Sequence, residues 1–294
     1  MKPFGKRGEE DTVHPPPGKG GPVLLSVLLL FLAVSHNAGR DVSHVFSASA
    51  APFIIVPAAA LLGYHVVTNQ LVSHNDQRAP RDPETGVLIG AEPYDAGPRD
   101  ASCAVLCIHG FLGAANNFNE LPSRIAETGR FVRVMRLPGH GTSPRDLERV
   151  TADSLVQAAR DEVQALGKKH DRVVLIGHSM GGTIASLVAA ESGCDGLVLA
   201  APYFGVTRRW WYVLKPETWN RIMHPVVRWL YKSDAFVQVN RRGVVDEIVS
   251  YRWVPMQGVR TLMELGRRAN DRETLANITC PVLLLYAEGD DAAS

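Results

Sequence analysis

The sequence predicts an α/β architecture: a doubly wound, mostly parallel sheet with an inserted cap, preceded by a hydrophobic N-terminal segment. Three observations point there. Short apolar runs alternate with longer amphipathic segments, as βαβ units require. The run Val173-Val174-Leu175-Ile176 leads directly into Gly177-His178-Ser179-Met180-Gly181, and the small-residue stretch from Gly182 to Ala190 follows, so the segment reads as strand, sharp turn, helix. A second run, Ala104-Val105-Leu106-Cys107-Ile108, ends in another glycine-rich loop, His109-Gly110-Phe111-Leu112-Gly113.

In chain order, the expected strands are 103–108, 131–136, 172–177, 196–201 and 281–286. Each is a short apolar run bounded by polar or turn-forming residues. Between them, Asn117 to Thr128 and Ala152 to Leu166 read as helices. The second carries Leu155, Ala158, Ala159, Val163 and Leu166 near helical spacing, with Asp153 in its first turn and Lys168 and Lys169 just past its end, as the helix dipole favours. Asp76 to Asp100, with its prolines and glycines, reads as a linker and lead-in strand. The resulting division is a polar tail over 1–19, a hydrophobic leader or membrane anchor over 20–75, and an α/β domain over 76–294 with a cap over about 205–276.

A bare G-x-S-x-G recurs in ordinary glycine-rich turns. Its strand and helix context is what makes it specific here. A serine in such a turn sits in a strained backbone conformation, and a Cβ at either glycine would collide with the neighbouring strand and helix. Ser179 is therefore the candidate nucleophile. His109 reads as a residue that shapes its loop.

Together with these two motifs, Gly90-Ala91-Glu92-Pro93-Tyr94, Leu137-Pro138-Gly139-His140-Gly141-Thr142 and Cys280-Pro281-Val282-Leu283-Leu284-Leu285 occur in an order that resembles the serine α/β-hydrolase superfamily. Within it, the chain is similar to the bacterial carboxylesterase and monoacylglycerol lipase group over about residues 86–294. The resemblance implies a carboxylic-ester hydrolase acting on acyl chains, with neither metal nor organic cofactor. It also implies an oxyanion hole made by the backbone N–H groups of Phe111 and Met180. Thioester hydrolysis, amide hydrolysis and acyl transfer use the same machinery and stay open.

The resemblance places the triad acid at Asp290, in the turn Ala287-Glu288-Gly289-Asp290-Asp291 after the last apolar run, with Asp291 its near competitor. Chain order in that family is serine, acid, histidine, yet no histidine follows Asp290. Of the ten histidines, His14, His36, His44, His65 and His74 precede the domain. His109, His140 and His178 belong to the motif loops, and His170 precedes the elbow strand at the far end of the sheet. His224 lies in the insertion. The expectation is thus a serine esterase whose chain breaks off before the histidine loop, and the alternative is a catalytically inactive hydrolase fold that binds acyl ligands or partners.

All five tryptophans fall in the insertion: Trp210, Trp211, Trp219, Trp229 and Trp253. Such a cap can form an apolar tunnel, and Trp210, Trp211 and Trp229 are the candidate substrate contacts, the other rings building the cap's own core. The N-terminal segment holds an uncharged apolar run from Val23 to Val34 behind Lys2, Lys6, Arg7 and Lys19, and a second uncharged stretch from Val42 to Asn75 broken by Pro52 and Pro57. Membrane association through these segments is expected. One span would export the domain and two would keep it cytoplasmic. A net charge of +1 argues against a nucleic-acid partner, leaving a small acyl ester or lipid as the expected one. Cys103, Cys107, Cys194 and Cys280 read as buried thiols, with neither disulfide-framework nor zinc spacing.

Overall fold

The computed structural model describes residues 51–206, 215–233 and 249–287. The chain falls into two units, Met1–Ala60 and Leu61–Ser294. The first contributes the opening residues of helix α1 (Ala51–Arg78), which runs through Pro57 and carries no charge until its last turn. Phe53, Ile55 and Val56 stand exposed on it.

The second unit begins on the same helix. Leu62, Val66, Val67 and Leu71 face outward, while Val72 is buried in a cluster with Trp229 and Trp253. Polar groups along this stretch bond into the domain. The Tyr64 hydroxyl donates to the Trp229 carbonyl at 2.7 Å and accepts from its N–H at 3.3 Å. Asn69 Oδ1 accepts the Trp229 indole N–H at 3.2 Å, Ser73 accepts from Arg145 at 3.0 Å, and Asp76 pairs with Arg81 at 2.6 Å.

The domain proper opens with β1 (Tyr94–Ala96) and β2 (Cys103–Ile108), every residue of which is buried. A 3-10 turn over Ala115–Phe118 leads to α2 (Leu121–Ala126), with Pro122 in its first turn. The single helix expected over 117–128 is thus two pieces. Asn119 takes a left-handed conformation (φ 48°) and the Asn117 side chain captures the Ala114 N–H, so side-chain bonding ends one turn before the next can begin. Then follow β3 (Phe131–Val134), α3 (Pro144–Glu148) capped by Ser143, and α4 (Ala152–Gly167) capped by Thr151, whose Oγ1 accepts from Ser154 N–H at 3.1 Å. α4 buries Leu155, Val156, Ala159, Val163 and Leu166 on one face. After it come β4 (Arg172–His178), α5 (Met180–Ser192) and β5 (Gly196–Ala200).

Within the insertion, the described elements are α6 (Pro216–Met223), β6 (Trp229–Tyr231), β7 (Trp253–Pro255) and α7 (Met256–Ala269), β6 and β7 forming a two-stranded antiparallel sheet. A short α8 (Arg272–Ala276), capped by Asp271, returns the chain to β8 (Val282–Leu285). The main sheet has the order β1-β3-β2-β4-β5-β8, parallel throughout except for β1. β2 to β5 begin at the expected residues and β8 one residue later; β3, β5 and β8 stop one or two residues earlier than expected, and β4 runs one residue further.

This topology positions the site. From β2 the chain goes to β3 on one side and then to β4 on the other, so the loops after β2 and β4 leave the sheet in opposite directions and open a crevice at the strands' carboxyl ends. Register carries His178, Ala200 and Leu285 to the same level. β8 pairs with β5 alone among the described residues, and its Val282, Leu283, Leu284 and Leu285 stand half exposed.

Cys103 and Cys107 are buried as expected, but Cys194 and Cys280 are only half-buried, with their sulfurs 3.3 Å apart. Two residues so distant in sequence meet because parallel pairing brings the starts of β5 and β8 together.

Trp229 is 2% exposed and Trp219 is 42% exposed. Trp229→Ala should therefore cost about 3–5 kcal/mol of stability through the cavity and the lost α1 contacts, while Trp219→Ala stays within about 0.5 kcal/mol. Urea unfolding of both variants checks this, and equal losses would contradict the packing described.

Candidate active site

Ser179 stands between β4 and α5 at φ 51° and ψ −119°, a left-handed conformation that costs a non-glycine residue of order 1–3 kcal/mol. The surroundings hold it there. Its N–H donates to the Ala200 carbonyl at 3.0 Å, and its carbonyl accepts from the N–H groups of Gly182, Thr183 and Tyr203 at 2.9, 3.2 and 3.2 Å. Thr183 in turn donates its hydroxyl to the Tyr203 carbonyl. Sheet, helix and the stretch after β5 thus all fix one residue. The half-buried side chain projects at the N-terminus of a thirteen-residue helix, where unsatisfied N–H groups and the positive end of the dipole gather.

Gly181 is required by close approach. A Cβ there would fall on the Ile108 carbonyl oxygen and 2.6 Å from that of His109. Gly110 serves the other side, where a Cβ would lie 3.2 Å from the Ser179 Cβ. The loop carrying Phe111 is thereby laid against the elbow. Its turn is closed by Gly113 N–H donating to the Gly110 carbonyl at 3.0 Å, and Leu112 takes φ 59° within it. Strain thus appears on both loops that face each other across the crevice.

His109 is fully buried. Its Nε2 accepts the Leu137 N–H at 3.1 Å, which leaves Nδ1 to carry the proton toward the Gly110 carbonyl at 3.0 Å. His140 Nδ1 likewise reaches the Pro138 carbonyl at 3.0 Å. Burial pushes His109 down to about 3 and His140 down to about 4, so both rings are neutral braces between loops. His170 lies at the opposite end of the sheet, stacked on Phe131 and bonded to the Ala101 carbonyl at 2.6 Å. His224 ends α6 and meets Gln257 at 2.9 Å, in a groove lined by Lys215, Arg221 and Arg260.

Of the other expected site residues, Met180 begins α5 with its side chain buried, and Phe111 is half-buried with its ring edge-on to His140 at 6.2 Å. Asp290, Asp291, Trp210 and Trp211 lie outside the described residues. Trp229 is enclosed by α1 and β7, its indole N–H bonded to Asn69, and has no free face for a ligand. Tyr251 is a brace that the sequence reading did not identify. Its hydroxyl donates to the Gly139 carbonyl at 2.9 Å and accepts the Thr142 N–H at 2.7 Å, tying the 137–142 loop to the insertion, and burial pushes the phenol up to about 12. No local motif announces it.

The family model described as "Serine aminopeptidase, S33" (Hydrolase_4) matches residues 99–294. Among curated proteins, the thermostable monoacylglycerol lipase of Bacillus sp. (strain H-257) is 35% identical over 103 residues, which are 35% of this chain and 40% of that protein. The sn-1-specific diacylglycerol lipase ABHD11 of Mus musculus is 35% identical over 91 residues, 30% of this chain and 28% of that protein. The matched stretch therefore spans less than half the length of these relatives. Among solved structures, one described with LipS and LipT, two metagenome-derived lipolytic enzymes, aligns with TM-score 0.58 at 25% identity over 67% of this chain and 76% of that one. The monoglyceride lipase of Saccharomyces cerevisiae aligns with TM-score 0.56 at 16% identity over 69% and 74% of the two chains, a likeness of fold.

The buried neutral histidines set an acid dependence. Unfolded, each ring protonates near 6.5; folded, His140 and His109 resist to about 4 and about 3. Between those values the unfolded state binds more protons. Stability therefore falls as pH drops below 6.5, by up to about 1.4 kcal/mol per pH unit for each ring. Urea midpoints at pH 7 and pH 5 should differ in this sense, and His109→Gln should flatten the dependence; a midpoint unchanged between the two pH values would contradict the burial.

Proposed function

We propose a function for a chain that belongs to the serine aminopeptidase S33 family of α/β-hydrolases: a carboxylic-ester hydrolase of lipid-like acyl esters such as monoacylglycerols, acting through Ser179. The observation that carries the reading is the strained, four-fold bonded Ser179 peptide at the head of α5. A serine is held at that cost where its hydroxyl must stand clear of the backbone beside free N–H groups. The Ser179 hydroxyl gives its proton to the general base as its oxygen attacks the ester carbonyl, and the N–H groups of Met180 and Phe111 stabilise the oxyanion. Collapse of the tetrahedral intermediate expels the alcohol, which takes that proton back from the base, and leaves an acyl-enzyme that water, deprotonated by the same base, then hydrolyses to the acid with Ser179 reprotonated. Asp290 orients the base.

In this reading the general base lies outside the described residues. His109 and His140 are committed to loop carbonyls and held far below neutral, His170 is at the wrong end of the sheet, His224 is engaged at the end of α6, His65 and His74 stand on α1, and His178 ends β4 with its ring beside Gly110. The same observation favours a second reading, a hydrolase fold that binds acyl ligands without turning them over.

The acyl specificity is supported by the names of the relatives and by the aromatic insertion. Trp210 and Trp211 remain the proposed acyl contacts, and Trp229 serves the packing of the cap on α1. Membrane association is supported by α1, where Ile55–Arg78 is long and apolar enough to cross a bilayer by length and composition. Its exposed Phe53, Ile55, Val56 and Leu62 suit a lipid surface. The bonds from Tyr64 through Asp76 tie the rest of that helix to the domain.

In protein that includes the segment supplying the general base, Ser179→Ala should lower hydrolysis of p-nitrophenyl decanoate about a million-fold, with the far-UV spectrum unchanged. In the unsubstituted protein, kcat/KM should rise up to about four-fold per added methylene, from about 0.8 kcal/mol each, before levelling off when the site is full. Activity retained in Ser179→Ala would remove this serine from the reaction. Preference for aminoacyl p-nitroanilides would replace the ester reading with an aminopeptidase one, and stoichiometric ester binding without turnover would favour the second reading.

A further inference from the structure

Cys194 and Cys280 stand 86 residues apart in the chain, yet their Sγ atoms are separated by 3.3 Å. Both thiols are free and half-buried. Topology brings them together: β5 and β8 are parallel neighbours with Leu197 opposite Val282, and Leu197 N–H donates to the Pro281 carbonyl at 2.9 Å. The segments entering the two strands therefore begin side by side. Each is held. Asp195 N–H donates to the Val173 carbonyl at 2.8 Å while its carboxylate accepts the Val173 N–H at 2.7 Å, and Ile278 N–H bonds the Leu275 carbonyl at 3.3 Å.

Two sulfurs at this separation need roughly 1.3 Å of approach to reach S–S bonding distance. Cys103 and Cys107 offer no such pair. They sit four residues apart on the extended strand β2, which holds their Cα atoms roughly 13 Å apart, far beyond the reach of a disulfide.

We propose that Cys194 and Cys280 form a reversible disulfide on exposure to a small-molecule disulfide such as oxidised glutathione, and that this bond clamps the starts of β5 and β8 together. One cysteine thiolate attacks a glutathione sulfur, forming a mixed disulfide and expelling one glutathione thiolate. The neighbouring thiol loses its proton and attacks the Sγ of the first cysteine, expelling the second glutathione thiolate. The two protein thiols give up two protons and two electrons, and one oxidised glutathione becomes two reduced ones. Burial pushes the Cys194 thiol up to about 12, so Cys194 stays a neutral thiol without an oxidant and its oxidation quickens as pH rises.

The geometry gives the bond a consequence. Closing the chain between Cys194 and Cys280 loops out the whole cap and fastens β8, an edge strand paired with β5 alone among the described residues, to the strand whose end carries the Ala200 carbonyl bonded to Ser179. Cross-linking a loop of this length restricts the unfolded chain strongly.

The test incubates the full chain with oxidised glutathione and, in parallel, with dithiothreitol. Thiols titrated under denaturing conditions should fall from the four of the sequence to two. Non-reducing peptide mapping should find the Cys194 peptide joined to the Cys280 peptide at the summed mass less two hydrogens. The apparent Tm should rise by roughly 10 °C over the reduced protein, and Cys194→Ser and Cys280→Ser should each lack that rise. The mapping needs no variant, so it stands if a serine variant fails to fold. Four titratable thiols after oxidation, a glutathione adduct that remains on either cysteine, or a link involving Cys103 or Cys107 would overturn the proposal.

Discussion

The contact between Gly181 and the carbonyls of Ile108 and His109 is the constraint on which the candidate site depends. Because no side chain intervenes, the first turn of α5 lies directly on the end of β2. That closeness forces the link from β4 to α5 into a single left-handed residue, Ser179, and brings the loop after β2 against it through Gly110. The bonds to Ala200, Gly182, Thr183 and Tyr203 then hold the strained peptide. His109 and His140, buried and neutral, stiffen the facing loops from behind. A gap one methyl wider would relax the turn and separate the two loops together.

A second constraint acts at the N-terminal side. A stretch of this length without charge until its last turn reads from composition as a membrane span, but its polar residues at 64, 68, 69 and 73, and Asp76 in that last turn, recur at helical spacing and find partners within their own unit. In a lipid interior those groups would be costly. Within the domain, Tyr64 and Asn69 satisfy the backbone and indole of Trp229, which lets a large ring be buried without an orphaned N–H. The helix therefore has two characters: an apolar outward face, and an inner face whose hydrogen bonds carry the β6–β7 strand pair.

Which features the sequence disclosed follows from the range of the forces behind them. β2, β4 and β5 are parallel strands inside the sheet and show as unbroken apolar runs. The turn at Ser179 shows because the glycines that permit it are its immediate neighbours. The break between the 3-10 turn and α2 was hidden, since Asn117 competes for a backbone N–H in a way hydrophobic period does not register. Trp229 was misplaced for another reason. An aromatic-rich insertion can line a tunnel or build a small core, and the choice lay with Asn69, 160 positions away. Tyr251 and the Cys194–Cys280 pair were likewise invisible until register and topology were known.

The account turns on the spacing at Gly181, and one substitution probes it. Gly181→Ala should lower stability by about 3 kcal/mol and abolish labelling of Ser179 by a fluorophosphonate. Gly167→Ala, at the end of α4 with no atom within 4 Å of the added methyl, should change neither by a comparable amount. Labelling of the Ser179 peptide at the unsubstituted rate in a Gly181→Ala protein of unchanged stability would contradict the claim that this contact creates the site.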